Sequence, residues 1–379
     1  MVLQLARKLA ATVLGQDPHD PLAAQELQNA GVPVSEASCR TCADPCDEGH
    51  EEYAKRFDVD MESEMRGSVK PYRRQVLIST GKSDWAREVT YVSDSLARYI
   101  SNAEDKHSSS VKKASHSPTL SPIDSKKTEK DNHSHPTGVH SYKPTGRLSI
   151  LNGSHTSRAD DPDTHATVLV LPDYVAVSNV PLSAAGADAF WAHALDPAVP
   201  RAGTTATPNG GEFKSWTLPY DCLILLCSHK KRDARCHIAS LRLEEDFLRT
   251  LESEGWSVDT DLEDLSANGP PLETIASTDE EREAAALAQL KALASFSSTT
   301  DPQSELTLIL KNSHIGGHKF AGNVIIYFPQ GSSIWYGRVT PHEIPSIVHQ
   351  TIQSGKVLPQ LLRGALGVSR PGCHSLLEW

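Results

Sequence analysis

The chain has 379 residues, 38% of hydrophobic type, with 24 prolines, 23 glycines and a formal net charge of −11. That length accommodates two domains with real cores, while the low apolar fraction implies that part of the chain is not packed. The acidic balance excludes a general nucleic-acid binder. No apolar run approaches the ~18 residues of a membrane span, and seven cysteines are too sparse for a secreted disulfide scaffold.

Met1 to Gln16 carries Arg7 and Lys8, no acid, and leucines at 3, 5, 9 and 14. This pattern reads as an ordinary N-terminal helix, and it is also compatible with a mitochondrial presequence. Cys39-x2-Cys42-x3-Cys46, with His50 further on, is a dense thiol group suited to zinc as a Cys3His set, to a second cluster or to redox-active thiols. Gln75 to Thr80 predicts a strand, followed by a turn at Gly81 and then Trp85. Residues 103–164 are rich in Ser, Lys, His, Pro and Asp, and bury too little apolar area to offset chain entropy; disorder is expected there. Its histidines (His107, His116, His133, His135, His140, His155) are spaced irregularly and read as incidental. Thr167 to Leu171 predicts a second strand and Ala184 to Ala194 a helix.

In the second half, Cys222 to Leu226 is a short apolar run suited to a buried strand, with Cys222 in the core. A polar loop with Cys227 and Cys236 follows, then a helix from Ser240 to Ser253 with Leu243, Phe247, Leu248 and Leu251 on one face. Residues 257–304 form an excursion containing a helix at about Asp279 to Ala294. Leu306 to Leu310 is the next strand, with His314 and His318 just past its end. Asn323 to Phe328 and Ser333 to Val339 predict a hairpin. Thr340-Pro-His-Glu343 has capping-box form, opening a helix whose apolar face is Ile344, Ile347, Val348 and Ile352. The resulting division is 1–30 an N-terminal helical segment, 31–215 an α/β half, 216–368 a thioredoxin-like α/β domain, and 369–379 an extended tail that includes Cys373.

Two cysteines and two histidines, each pair at the end of a buried strand, make a complete four-ligand set. They point to a metal centre rather than a nucleophile. Eight residues separate Cys227 from Cys236, wider than a zinc finger requires, so their loop can wrap around more than one ion. Lys230, Lys231, Arg232 and Arg235 favour thiolates there, and Asp233 reads as a partner that fixes those arginines. The glycines between His314 and His318 disfavour a regular helix and permit close backbone approach.

Cys227-Ser-His-x3-Asp-x-Arg-Cys236, His314-x-Gly-Gly-His318-Lys-Phe-Ala-Gly-Asn323 and Trp335-Tyr-Gly-Arg-Val339 resemble the sucrase/ferredoxin-like family. The likeness is to the thioredoxin-like ferredoxins related to the actin patches distal and altered inheritance of mitochondria proteins. Lys70-Pro-Tyr-x2-Gln-Val-Leu-Ile-Ser-Thr-Gly-Lys82 and Trp85 are similar to the matching first half. The resemblance implies a related or degenerate α/β N-terminal half and a 2Fe–2S cluster on Cys227, Cys236, His314 and His318, outside the Rieske fold. Two thiolates and two neutral imidazoles leave the oxidised centre uncharged, so its potential is expected above the about −400 mV of plant-type ferredoxins. Each ligating imidazole keeps a ring N–H, so reduction becomes proton-coupled at high pH.

The expected function is electron transfer or redox sensing with an unidentified redox partner, as a carrier rather than a stand-alone enzyme. A zinc-stabilised binding module and a thiol–disulfide oxidoreductase using Cys39, Cys42 and Cys46 remain the alternatives. Leu377-Glu378-Trp379 resembles the tripeptide by which clients dock on the cytosolic iron–sulfur targeting complex, an indole and a carboxylate for a basic, apolar pocket. That tail favours the cytoplasm over the mitochondrion. No paired carboxylates suited to glycoside hydrolysis stand out.

Overall fold

The apolar runs become the inner strands of one twelve-stranded mixed sheet in the computed structural model of the chain. It describes residues 21–43, 46–50, 53, 57–114, 136–142, 147–205, 212–296 and 305–379. The segment Met1 to Gln16, His116, His133 and His135 lie outside the described residues.

After helix α1 (Pro21–Asn29), the first half runs β1 (Arg74–Ser79), α2 (Leu96–Ala114), β2 (Val139–His140), β3 (Leu148–Gly153), β4 (His165–Leu171), β5 (Val175–Pro181), α3 (Ala184–Phe190) and β6 (Lys214–Thr217). The second runs β7 (Cys222–Cys227), α4 (Ala234–Ser253), β8 (Ser257–Asp259), α5 (Leu272–Ile275), α6 (Asp279–Phe296), β9 (Leu306–Asn312), β10 (Val324–Tyr327), β11 (Ser333–Tyr336), α7 (Ile344–Ser346) and β12 (Leu362–Leu366). The sheet order is β2-β12-β11-β10-β7-β9-β3-β1-β4-β5-β6, with β8 also on β9.

The halves repeat one connection pattern. In the second, β7 pairs parallel with β9 and antiparallel with β10, which pairs antiparallel with β11. In the first, β1 pairs parallel with β3 and antiparallel with β4, which pairs antiparallel with β5. This is the thioredoxin arrangement, built twice. The repeats meet where β3 and β9 run antiparallel, and the join is reciprocal. Ser154 N–H donates to Lys311 O and Ser313 N–H to Asn152 O, both at 2.9 Å. The serine hydroxyls in turn accept from Lys311 N and Asn152 N, both at 3.0 Å.

Strands buried on both faces read as continuous apolar runs, and alternation distributes their side chains. Leu223, Leu225, Leu308 and Leu310 share one core with Leu77, Leu151 and Leu169, closed by Leu262, Leu265 and Leu290 of the excursion. On the other face, Ile224, Leu226 and Ile309 pack against Leu243, Phe247 and Leu251 of α4 and Ile347 and Val348 beyond α7. Each such side chain contributes roughly 1.5–3 kcal/mol. Val76, Ile78, Val168 and Val170 face Leu96 and Ile100 of α2 and Phe190 of α3.

The disorder expected over 103–164 is corrected for its described parts. α2 continues to Ala114, and β3 is the strand that joins the repeats. The error arose from averaging: Leu148 and Leu151 are the buried apolar side chains of a strand whose stability comes from pairing on both edges. The tail beyond Gly367 forms no regular element, yet Leu376 is fully buried in the core rather than extended into solvent.

Superposing the repeats by register puts Ser79, opposite Gly153, at the place of Cys227, opposite Asn312. His155 then corresponds to His314. It is fully buried, its Nε2–H donates to Thr167 O at 3.2 Å, and desolvation lowers its pKa to about 4. His155 is therefore neutral when folded but takes a proton at about pH 6.5 when unfolded. Between pH 6.5 and 4 the unfolded state binds more protons, so this residue's contribution to stability falls as pH falls, by about 3 kcal/mol in full. Burial raises Asp221 to about 6, which acts in the opposite sense. The readout is therefore a difference: by urea denaturation, His155→Gln should lose less stability than the parent between pH 7 and 4.5.

Candidate metal centre

Cys227 ends β7 directly opposite Asn312, which ends β9. Parallel neighbours that end together open their loops onto one crevice, where ligands bind in open α/β sheets. α4 begins at Ala234, earlier than the expected Ser240, because Asp233 caps it. The Asp233 carboxylate accepts from Arg235 N at 3.0 Å and from the Arg235 guanidinium at 2.9 and 2.8 Å. Cys236 consequently sits in the first helical turn, where unpaired N–H groups favour a thiolate.

The four expected ligands gather at this crevice, but not as a compact single-ion group of ligand atoms. The side chains of Cys236 and His314 lie within hydrogen-bonding reach of Cys227, and the His314 and His318 ring centroids are 5.5 Å apart. Both sulfurs are buried, His314 is half-buried and His318 is exposed. The Cys236 S–H holds Cys227 well below the usual thiol range, while the Cys227 thiolate pushes Cys236 above it. The Nδ1 of His314 is buried with no hydrogen-bond partner among the described residues.

Sequence reading missed Arg363. This guanidinium, from β12, is 1% exposed, and its hydrogen bonds go to neutral acceptors: Ser68 Oγ at 3.1 Å, Gly316 O at 3.3 Å and Asn323 Oδ1 at 2.7 Å. Burial pulls its pKa down to about 10, and the charges of Cys227 and Cys236 oppose that shift. Among the described residues the compensating charge is that of sulfur, not of a carboxylate. A buried cation needs such a counter-charge. Nothing around residue 363 in the sequence signals this, because the arginine lies inside an otherwise apolar strand far from the ligands.

His229 positions the second ligand loop. Its Nδ1 accepts from His314 N–H at 3.1 Å, which leaves Nε2–H to donate to Trp85 O at 2.9 Å. Trp85 belongs to the first repeat, so that half helps shape the centre. Phe57 and Val59, from the arm preceding β1, pack on Cys227, Cys236 and Ala321. Asp60 N–H donates to Lys319 O at 2.9 Å.

The first thiol group also becomes a site, with altered membership. Cys42, Cys46, His50 and His342 place one ligand atom each within 4.8 Å of one another, an arrangement able to hold a metal ion. Cys39 is not among them; its side chain is 4% exposed in the apolar core. His342 replaces it, carried in by the capping box that Thr340 and Glu343 form at the start of the helical segment before α7. Cys222 is core, as expected, its thiol pushed up to about 12 by burial. Cys373 is half-buried and unpaired in a disulfide.

A thioredoxin-like repeat with two cysteines and two histidines near its strand ends defines a ferredoxin-like class. The sucrase/ferredoxin-like family profile matches residues 65–364, and the chain belongs to that family. It is similar to altered inheritance of mitochondria protein 32 of Clavispora lusitaniae, at 30% identity over 54% of this chain and 60% of that protein. The protein of that name from Debaryomyces hansenii matches at 30% over 40% of this chain and 38% of its own length. Less than two thirds of either relative is therefore covered. Actin patches distal protein 1 of Saccharomyces cerevisiae is 24% identical over 84% of this chain and 81% of that protein. No solved structure matches.

Gly316 and Gly317 have φ of +82° and +68°, and a Cβ on Gly317 would collide with the Arg363 guanidinium, whereas one on Gly316 meets nothing. Gly317→Ala should therefore destabilise by about 2–3 kcal/mol and Gly316→Ala by about 1 kcal/mol. Thermal unfolding of both variants checks that ranking.

Proposed function

We propose that the chain is an electron-transfer protein whose second repeat holds a 2Fe–2S cluster on Cys227, Cys236, His314 and His318. The supporting observation is the convergence of two buried sulfurs and two imidazoles beside an arginine that no carboxylate neutralises among the described residues. A cluster bound there supplies one-electron chemistry at a potential above that of four-thiolate ferredoxins. The residues divide the work of holding it. Arg363 balances thiolate charge, the N-terminus of α4 favours Cys236, and His229 orients the His314 backbone. Exposed His318 leaves the imidazole edge of the site open to a redox partner.

The thiol oxidoreductase reading is less well supported: burial raises Cys42 and Cys39 lies in the core. A reactive thiol needs the opposite environment. A zinc ion at the Cys227 site remains the competing occupant, and analysis of the bound elements separates the two.

Anaerobically purified protein should be brown, with two iron atoms and two sulfides per chain. A colourless protein with zinc in their place would refute the cluster. His314→Cys should retain the cluster but lower its potential, because an anionic thiolate replaces a neutral imidazole; protein-film voltammetry measures this.

The same reading gives the tail a role and favours a cytosolic location. No helix among the described residues is long and apolar enough to cross a membrane. Glu378 and Trp379 are exposed, while Leu376 anchors the tail in the core. Leu377-Glu378-Trp379 is thus presented on a fixed base for docking to the cytosolic iron–sulfur targeting complex. Trp379→Ala should lower the iron content of protein made in cells without changing that of protein reconstituted in vitro.

A further inference from the structure

We infer that Cys42, Cys46, His50 and His342 form a second, structural metal site, that its ion is zinc, and that this ion fastens the N-terminal arm over the sulfurs of the first centre. Two of the contacts are sulfur to imidazole: Cys42 Sγ to His342 Nδ1 and Cys46 Sγ to His50 Nδ1, both 3.3 Å. The two rings meet edge to face at 5.3 Å. In a tetrahedral zinc site with Zn–S about 2.3 Å and Zn–N about 2.0 Å, neighbouring ligand atoms lie about 3.3–3.8 Å apart. The group within 4.8 Å needs only a small adjustment to reach that geometry. A single ion fits it, and two sulfurs with two imidazole nitrogens are a zinc donor set.

The burial pattern favours a closed, structural site. Cys42 and His342 are buried, while Cys46 and His50 are half-buried. Four protein ligands leave no open position for a substrate.

The surrounding chain explains the need for a staple. Among the described residues around the site, the arm joins no strand of the sheet beyond an isolated bridge, Val34 with Val357, and is held to the second repeat by Val32 and Cys39 in its core and by hydrogen bonds. Ser346 Oγ donates to Ser38 O at 3.0 Å, and Tyr53 OH to Val339 O at 2.8 Å. Tyr53 stacks on Phe57 at 4.0 Å, and Phe57 lies against Cys227 and Cys236. An ion joining residues 42, 46 and 50 to residue 342 ties this cover to the body next to its aromatic contact. The site is independent of the cluster, since none of its ligands is shared.

The test is metal analysis of the full chain, with iron and zinc measured separately on one sample. One zinc per chain is expected in addition to iron, and none in His342→Ala or Cys46→Ser. In both variants iron should remain, and trypsin should cleave between residues 47 and 66 faster than in the parent. Because Cys46 is half-buried, its serine variant is the milder of the two and guards against misfolding of His342→Ala. Chelator-treated parent should bind one cobalt(II) ion with the intense visible absorption of a tetrahedral thiolate site. A parent chain free of zinc, zinc retained in both variants, a Cys42–Cys46 disulfide, or pale octahedral cobalt would each overturn the assignment. A parent chain that holds zinc but no iron would instead count against the cluster alone.

Discussion

A guanidinium buried with no carboxylate partner among the described residues, near two cysteine sulfurs, is the constraint around which the second repeat is arranged. Isolated charge is expensive in a packed interior, so Arg363 favours negative charge on the Cys227–Cys236 sulfur pair. It also fixes the neighbouring backbone. Arg363 bonds Gly316 O and Asn323 Oδ1, and Gly317 comes so close that no side chain fits. The glycine pair of the second ligand loop is therefore explained by the arginine below it as much as by anything bound above it.

The duplication divides labour between two copies of one frame. In the first repeat, the strand ends hold Ser79 and a sequestered, neutral His155. That half contributes the sheet edge on which β9 rests and the Trp85 carbonyl that sets the His229 tautomer. In the second, the same strand ends carry sulfur and accessible imidazole. The reciprocal serine contacts across β3 and β9 hold both crevices at one level of the sheet.

Much of the second half was legible because its signals were local. The run Cys222 to Leu226 is apolar at every position and appears as a strand buried on both faces. Thr340 to Glu343 spelled out a capping box that is present. The four candidate ligands were legible as residue types at strand ends. What escaped notice was non-local. Arg363 looks like an ordinary charge in a short strand, His342 reads only as part of a helix cap, and β3 is diluted by a polar neighbourhood. The meaning of Arg363 and His342 depends on residues more than a hundred positions away: Cys227 for Arg363, Cys42 for His342. Cys39 illustrates the reverse error, since its spacing to Cys42 suggested a ligand and its burial made it core.

Nitrogen coordination at the reduced centre tests the account most directly. Electron spin-echo envelope modulation on dithionite-reduced protein, uniformly 15N-labelled at histidine only, reports nitrogen nuclei bound to iron. The account predicts strong couplings from two histidines, reduced to one in His318→Cys. A reduced centre without histidine couplings, or with couplings unchanged by that substitution, would contradict it.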